Sequence, residues 1–216
     1  MMFLDRSDAG IKLSEKLKAY KDNKEVLILA LPRGGVATGY EIARILNAPL
    51  DVLIVRKIGH PMQPELAVGA VSETGTVVLN PRVLSFGVSE DYIKDETSIQ
   101  KEEISRRIEL YRKGKGISEI QGKIIILVDD GVATGATIKA AISTLNKEKL
   151  KKLVIALPVA PPDTADELKG MADEFICLET PYDFRAVGNY YYDFTQVTDQ
   201  EVVRYLKIAE EFYEKK

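Results

Sequence analysis

The sequence predicts an α/β protein built on an open, doubly wound, mostly parallel sheet of about five strands. Three observations carry this. Short runs of β-branched and aliphatic residues recur at 26–31, 49–55, 124–128, 153–157 and 175–178, and a strand buried on both faces of a parallel sheet reads this way. Segments with helical spacing of apolar positions lie between most of them. Twice, a run delivers a glycine-bearing loop at its carboxyl end, where open α/β sheets bind ligands.

The chain has 216 residues, which suits a single domain over 1–216. A hydrophobic content of 45% is ordinary for a globular protein. A net charge of −3 gives no case for a nucleic-acid partner. The apolar runs are too short to span a membrane, and the amino-terminal residues turn charged at Asp5, unlike a secretory signal. A cytoplasmic location is the expectation. The lone cysteine, Cys177, leaves no internal disulfide and no cysteine-cluster metal site. It reads as a core filler in an apolar run.

In chain order, residues 7–21 read as a first helix, with Ser7 or Asp8 as cap and Ile11, Leu17 and Tyr20 on one face. The strand at 26–31 ends in Pro32-Arg33-Gly34-Gly35-Val36, and a helix follows through Leu46. A guanidinium beside glycines suits phosphate, because its fork gives paired charge-assisted bonds. The strand at 49–55 is followed by Arg56-Lys57, a basic pair expected at a strand end on the same ligand edge. Lys57 is the candidate ligand, and Arg56 can alternate to the far side. His60, the only histidine, sits in a Gly/Pro-rich loop and reads more as loop than as catalyst.

Residues 64–80 read as a turn with one or two short strands, and 72–76 carry a hairpin signal. Glu65 and Glu73 are the acids there, and sequence gives neither a role. Residues 89–113 form a long charged helix whose thin stripe is Ile93, Thr97, Gln100, Ile104, Ile108 and Tyr111. It suits packing on the core edge or on a second subunit. Acids alternate with its basic residues, so it is no basic patch.

Residues 124–145, IIILVDDGVATGATIKAAISTL, organise the chain. A buried strand delivers Asp129 and Asp130, then a loop of small and hydroxyl residues, then a helix at 138–145. Small residues let a backbone approach an anion closely. Free amides at a helix start form an anion nest, and the dipole adds to it. Thr134 and Thr137 can add hydroxyl donors. The two carboxylates would repel a phosphate, so they need a partner that donates hydrogen bonds or carries positive charge. A sugar diol or a hydrated magnesium ion fits. The segment therefore asks for a phosphorylated sugar. A generic acidic βα turn is the competing reading.

The remaining elements are a strand at 153–157 ending in Pro158, a short helix capped by Asp163 or Thr164, and a last strand at 175–178. An aromatic-rich tail follows at 182–194. Thr198 and Glu201 have capping-box spacing before a final helix at 202–213.

VDDGVATGAT resembles the phosphoribosyl pyrophosphate motif of the type I phosphoribosyltransferases. The ATP-binding P-loop does not fit, because no GK[ST] ends this loop. The resemblance implies that Asp129 and Asp130 hold the ribose hydroxyls and stabilise a cation-like sugar. It implies that Ala133, Thr134, Gly135, Ala136 and Thr137 wrap the 5-phosphate. LPRGG looks like the pyrophosphate loop of xanthine phosphoribosyltransferases, which gives Arg33, Gly34 and Gly35, with Lys57, the pyrophosphate. An unusual peptide geometry at Pro32-Arg33 or Arg33-Gly34 is expected with it. The family places a mobile flap, with the charged helix, at about 58–116, and a small hood built largely from the chain ends, its C-terminal part at about 180–216. The hood holds the acceptor base, for which Phe184 and Tyr190 to Tyr192 are candidates by stacking; simple packing of a C-terminal lid competes with that.

The implied activity is transfer of ribose 5-phosphate from phosphoribosyl pyrophosphate to a nitrogenous base. Mg2+ would bind through the pyrophosphate, with Asp129 and Asp130 as its only protein candidates. Homodimerisation is a family expectation. Ala133 stands where hypoxanthine-guanine enzymes carry an aspartate, which weakens a 6-oxopurine assignment. The alternatives are a sensor of phosphoribosyl pyrophosphate or a nucleotide on the same fold, and a sugar-phosphate hydrolase, for which no positioned base is identifiable.

Overall fold

A computed structural model of the protein describes residues 2–80 and 87–214. In chain order the elements are α1 (Arg6–Lys16), β1 (Val26–Ala30), α2 (Gly34–Leu46), β2 (Leu50–Val52), β3 (Val55–His60), β4 (Gln63–Ser72) and β5 (Val77–Leu79). There follow α3 (Glu90–Arg112), β6 (Ile124–Val128), α4 (Ala136–Leu145), β7 (Lys152–Val159), α5 (Pro162–Lys169), β8 (Glu174–Glu179) and α6 (Asp199–Glu214). They form two compact units, one drawn from residues 1–52, 117–135 and 148–216, the other from 53–116 and 136–147.

The first unit holds the five-stranded sheet, in the order β2-β1-β6-β7-β8, with every neighbour pair parallel. Every residue of β1 and β6 is buried. Val26, Ile28, Ile124, Ile126, Val128, Val154 and Ala156 pack with Leu13 and Leu17 on one side and with Ile42, Ala43 and Leu46 of α2. The alternate residues Leu27, Leu29, Ile125, Leu127 and Ile155 are buried as well. That two-sided burial explains the lack of polar alternation, and each such side chain contributes roughly 1.5–3 kcal/mol.

The boundaries differ from the sequence expectation where side chains or prolines decide them. The cap of α1 is Asp5, which accepts from the amide of Asp8. The helix stops at Lys16, a short 3-10 turn follows at Lys18–Tyr20, and Ile11 is exposed. Strand β7 runs through Pro158: its ladder with β6 has ended at Val128↔Ala156, while that with β8 continues past the proline, pairing Leu157 with Cys177 and Val159 with Glu179. Helix α5 begins at Pro162 after Pro161, so neither Asp163 nor Thr164 caps it. Helix α6 starts earlier than expected, at Asp199, and has the predicted capping box: Glu201 N–H donates to Thr198 Oγ1 (3.2 Å) and Thr198 N–H to Glu201 (2.8 Å).

The second unit holds an antiparallel sheet, β3-β4-β5, against which α3 and α4 pack. The expected hairpin turn lies between β4 and β5. The basic pair is not where the sequence reading put it. The apolar run 49–55 is two strands: β2 ends at Val52 and β3 starts at Val55. At the break, Ile54 N–H donates to the Glu73 carboxylate (2.8 Å) and Glu73 N–H donates to the Ile54 carbonyl (2.9 Å). Arg56 and Lys57 therefore lie inside an antiparallel strand, opposite Val71 and Ala70.

Helix α3 is capped by Ser89 and buries Ile104, Arg107 and Tyr111. Gln100, from the predicted stripe, accepts from Arg56 Nε at 2.9 Å. Residues 81–86, part of the expected flap, lie outside the described residues. Among the described residues, no helix is long and apolar enough to cross a membrane.

Candidate functional site

The strand order places a topological switch point between β1 and β6. From β1 the chain crosses through α2 to β2 on one side, while β6 leads to β7 on the other. Ligands of open α/β sheets bind outside the carboxyl ends at such a point. Ala30 is in register with Val128, and Leu31 N–H donates to the Val128 carbonyl at 2.9 Å. The loop carrying Arg33, Gly34 and Gly35 thus emerges beside Asp129 and Asp130. The two motifs, far apart in sequence, are neighbours.

The glycines permit that approach. A Cβ on Gly34 would run into the carboxylate of Asp130 and lie 2.9 Å from Arg6 Nε; one on Gly35 would lie 2.9 Å from Asp129 Cα and from the Val128 carbonyl. The peptide bond between Pro32 and Arg33 is cis, the first of the two positions where unusual geometry was expected.

The two acids have different surroundings. Asp130 Oδ2 accepts from Arg6 Nε at 2.7 Å, and both side chains are largely buried. The Asp130 carbonyl accepts from the Tyr191 hydroxyl at 2.5 Å. Asp129 Oδ1 accepts from the Asp130 amide at 2.9 Å. Burial first, and then the negative charge of Asp130, push the Asp129 carboxyl well above the usual carboxylate range; the hydrogen bond from the Asp130 amide and, after it, the charge of Arg6 oppose this only in part.

After the acids, Ala133 and Thr134 are exposed, Gly135 is buried, and Ala136 and Thr137 open α4 half-buried. Gly135 has φ +76°, a left-handed conformation that glycine adopts without penalty. Thr164 Oγ1 donates to the Ala133 carbonyl at 2.8 Å, holding the loop from α5. Arg33 is partly exposed, with Nη1 4.0 Å from Asp199 at the start of α6. Lys57 belongs to β3 of the second unit. Phe184 and Tyr190 stack on each other, with centroids 5.7 Å apart and planes at 12°. Tyr191 is the buried member of the tyrosine triplet. Its hydroxyl pKa is raised by burial and next by Asp130.

Other sequence candidates have local roles. His60 Nδ1 accepts the Met62 amide at 3.1 Å. Cys177 is half-buried, donates to the Glu179 carbonyl (3.2 Å), and has its thiol pushed by burial to about 11. Among the described residues, no group of three or more His, Cys, Asp or Glu is placed to hold a metal ion.

The phosphoribosyl transferase domain matches this chain over residues 4–195. The chain belongs to that family. Two curated proteins of Mycobacterium tuberculosis, from strains CDC 1551 and H37Rv and provisionally named phosphoribosyl transferases, are each 46% identical to it over 210 residues. The match takes in 96% of this chain and 47% of theirs, so the chain spans about half the length of the curated relatives it matches. The crystal structure of TT1426 from Thermus thermophilus is 43% identical, with a TM-score of 0.81 over 95% of this chain and 98% of that one.

Within this phosphoribosyl transferase domain, sequence reasoning missed Arg6, Phe194 and Thr195, and it named Tyr191 only as a stacking candidate, not as the donor to the Asp130 carbonyl. Arg6 had one legible signal. A cation in the first turn of a helix is disfavoured by the dipole, so an arginine there needs another reason. Tyr191 had none, since its neighbours are also tyrosines. The chain ends do meet: Phe3 N–H donates to the Tyr190 carbonyl (2.8 Å) and Tyr192 N–H to the Phe3 carbonyl (2.9 Å).

Proposed function

We propose that the protein transfers ribose 5-phosphate from phosphoribosyl pyrophosphate to a nitrogenous base and releases pyrophosphate. The observation that carries this reading is the adjacency at the switch point: the acid pair of β6 lies against the Arg33-Gly34-Gly35 loop of β1. The C1–oxygen bond to pyrophosphate breaks, and a base nitrogen forms the new bond to C1. Pyrophosphate departs with its electron pair. Arg33 stabilises the charge that develops on it. Asp129 and Asp130 accept from the ribose hydroxyls and face a sugar that is cation-like at C1. Ala133 to Thr137 hold the 5-phosphate through backbone amides and hydroxyls.

Mg2+ fits this donor set. Asp129 sits beside a second carboxylate with its charged form disfavoured, a site that a cation would relieve. Asp129 and Asp130 would hold the ion together with the substrate's pyrophosphate. When bound, it would neutralise pyrophosphate charge.

Phe184 and Tyr190 are the proposed stacking residues for the base, and their mutual stack offers a flat apolar face. A homodimer is part of the proposal, as are a cytoplasmic location and a role in nucleotide salvage. The second reading is a sensor that binds phosphoribosyl pyrophosphate without turnover. It is favoured by the ion pairs that engage Asp130 and Arg33.

The test is pyrophosphate release from phosphoribosyl pyrophosphate and Mg2+ with a panel of purine and pyrimidine bases. Release that depends on one base supports the transferase. Tight binding with no release across the panel supports the sensor.

A further inference from the structure

We infer that Arg6 is a positioning residue of the sugar site: one guanidinium fixes both the Asp130 carboxylate and the C-terminal segment at Thr195. The inference rests on the phosphoribosyl reading above and goes beyond it, because it gives the start of α1 a role at the site.

Arg6 Nε donates to Asp130 Oδ2 and Nη1 donates to the Thr195 carbonyl, each at 2.7 Å. The guanidinium carbon lies 3.9 Å from the centroid of the Phe194 ring. The side chain is only 11% exposed. Three separate segments, the start of α1, the acid loop and the tail at 194–195, thus converge on one cation. Gly34 leaves room for it, because a Cβ there would strike both members of the ion pair.

Only a planar fork can give these two bonds in fixed directions and stack on a ring as well. Asp130 is consequently oriented before any sugar arrives. Pre-set orientation saves the ordering cost that binding would otherwise incur. The same fork ties the acid to the segment next to Tyr190 and Tyr191, so the sugar and acceptor sides share one anchor.

A lysine at this position separates the two functions. An ammonium can still lie on Asp130, but it lacks the fork that holds Thr195. The experiment uses the full chain as wild type, Arg6→Gln and Arg6→Lys. Binding of phosphoribosyl pyrophosphate with Mg2+ is measured by titration calorimetry, and amide hydrogen exchange is followed at residues 190–195. The expected result for Arg6→Gln is an affinity loss on the order of tenfold or more, the scale of one charge-assisted bond, with faster exchange in the tail. Arg6→Lys should recover at least half of that loss on a logarithmic scale while its tail exchanges as fast as in Arg6→Gln.

Arg6→Gln binding within about twofold of wild type overturns the inference and leaves the phosphoribosyl reading standing. So does an Arg6→Lys variant whose affinity and exchange fail together, which is what a purely structural arginine predicts. If Arg6→Gln does not fold, that split in Arg6→Lys decides alone. Failure of the wild type to bind phosphoribosyl pyrophosphate overturns the reading, and this inference with it.

Discussion

Arg6 Nε and Asp130 Oδ2 stand 2.7 Å apart across 124 positions of sequence. This pair makes two adjacent acids unlike. Asp130 has a cation at its carboxylate, whereas the Asp129 carboxyl is pushed upward by burial and by the charge of Asp130.

The two acids should therefore respond to substitution with opposite signs. Asp130→Asn leaves a largely buried guanidinium short of its counter-charge and should cost about 1–3 kcal/mol. Asp129 has its folded-state pKa raised, so the folded state holds that proton more tightly than the unfolded one. The folded state then loses stability as pH rises from the ordinary carboxylate range, about 4, through the raised value. Asp129→Asn removes this penalty. Its Tm should exceed that of the wild type at neutral pH, and the gain should shrink as pH falls towards about 4. Thermal melts across pH check both signs.

Gly34→Ala should be more damaging than its single methyl suggests. The added Cβ strikes the Asp130 carboxylate and lies 2.9 Å from Arg6 Nε. Overpacking of this kind costs about 1–3 kcal/mol. Denaturant unfolding should show that loss, and binding of phosphoribosyl pyrophosphate should weaken, because the clash falls on the carboxylate proposed for the sugar.

In the second unit, Glu73 is the structural acid. It pairs with Arg112, with the two side chains 3% and 8% exposed, respectively. It also accepts the Ile54 amide where the chain leaves the first sheet. Removing one partner of a buried pair costs about 3–5 kcal/mol. Glu73→Ala should lower the urea midpoint accordingly, and Glu73→Gln, which keeps an acceptor for Ile54, should lower it less.

How much of this was legible depends on what kind of force fixes each feature. Strands β1 and β6 are unbroken apolar runs because both faces are buried, and that leaves a direct trace in composition. The capping box of Thr198 and Glu201 is a local bond pair and is equally visible. The adjacency of the Arg33 loop and the acid pair followed from strand order. Lys57 was misplaced because Leu53 and Ile54 are buried without belonging to a strand, so hydrophobicity ran on where pairing stopped. The contact of Tyr191 was illegible, and that of Arg6 nearly so, because their partners are far away in sequence. The place of Arg6 at a helix start is its one local mark, and one tyrosine among three carries none.

The central claim is that Asp129 and Asp130 grip the sugar of phosphoribosyl pyrophosphate. Titration calorimetry of the wild type and of the Asp129→Asn, Asp130→Asn double variant, with that ligand and Mg2+, tests it most directly. The opposite stability effects of the two changes should keep the double variant folded. Loss of charge at both acceptors should weaken binding by on the order of 10–100-fold or more. Equal affinity in the two folded proteins would contradict the account.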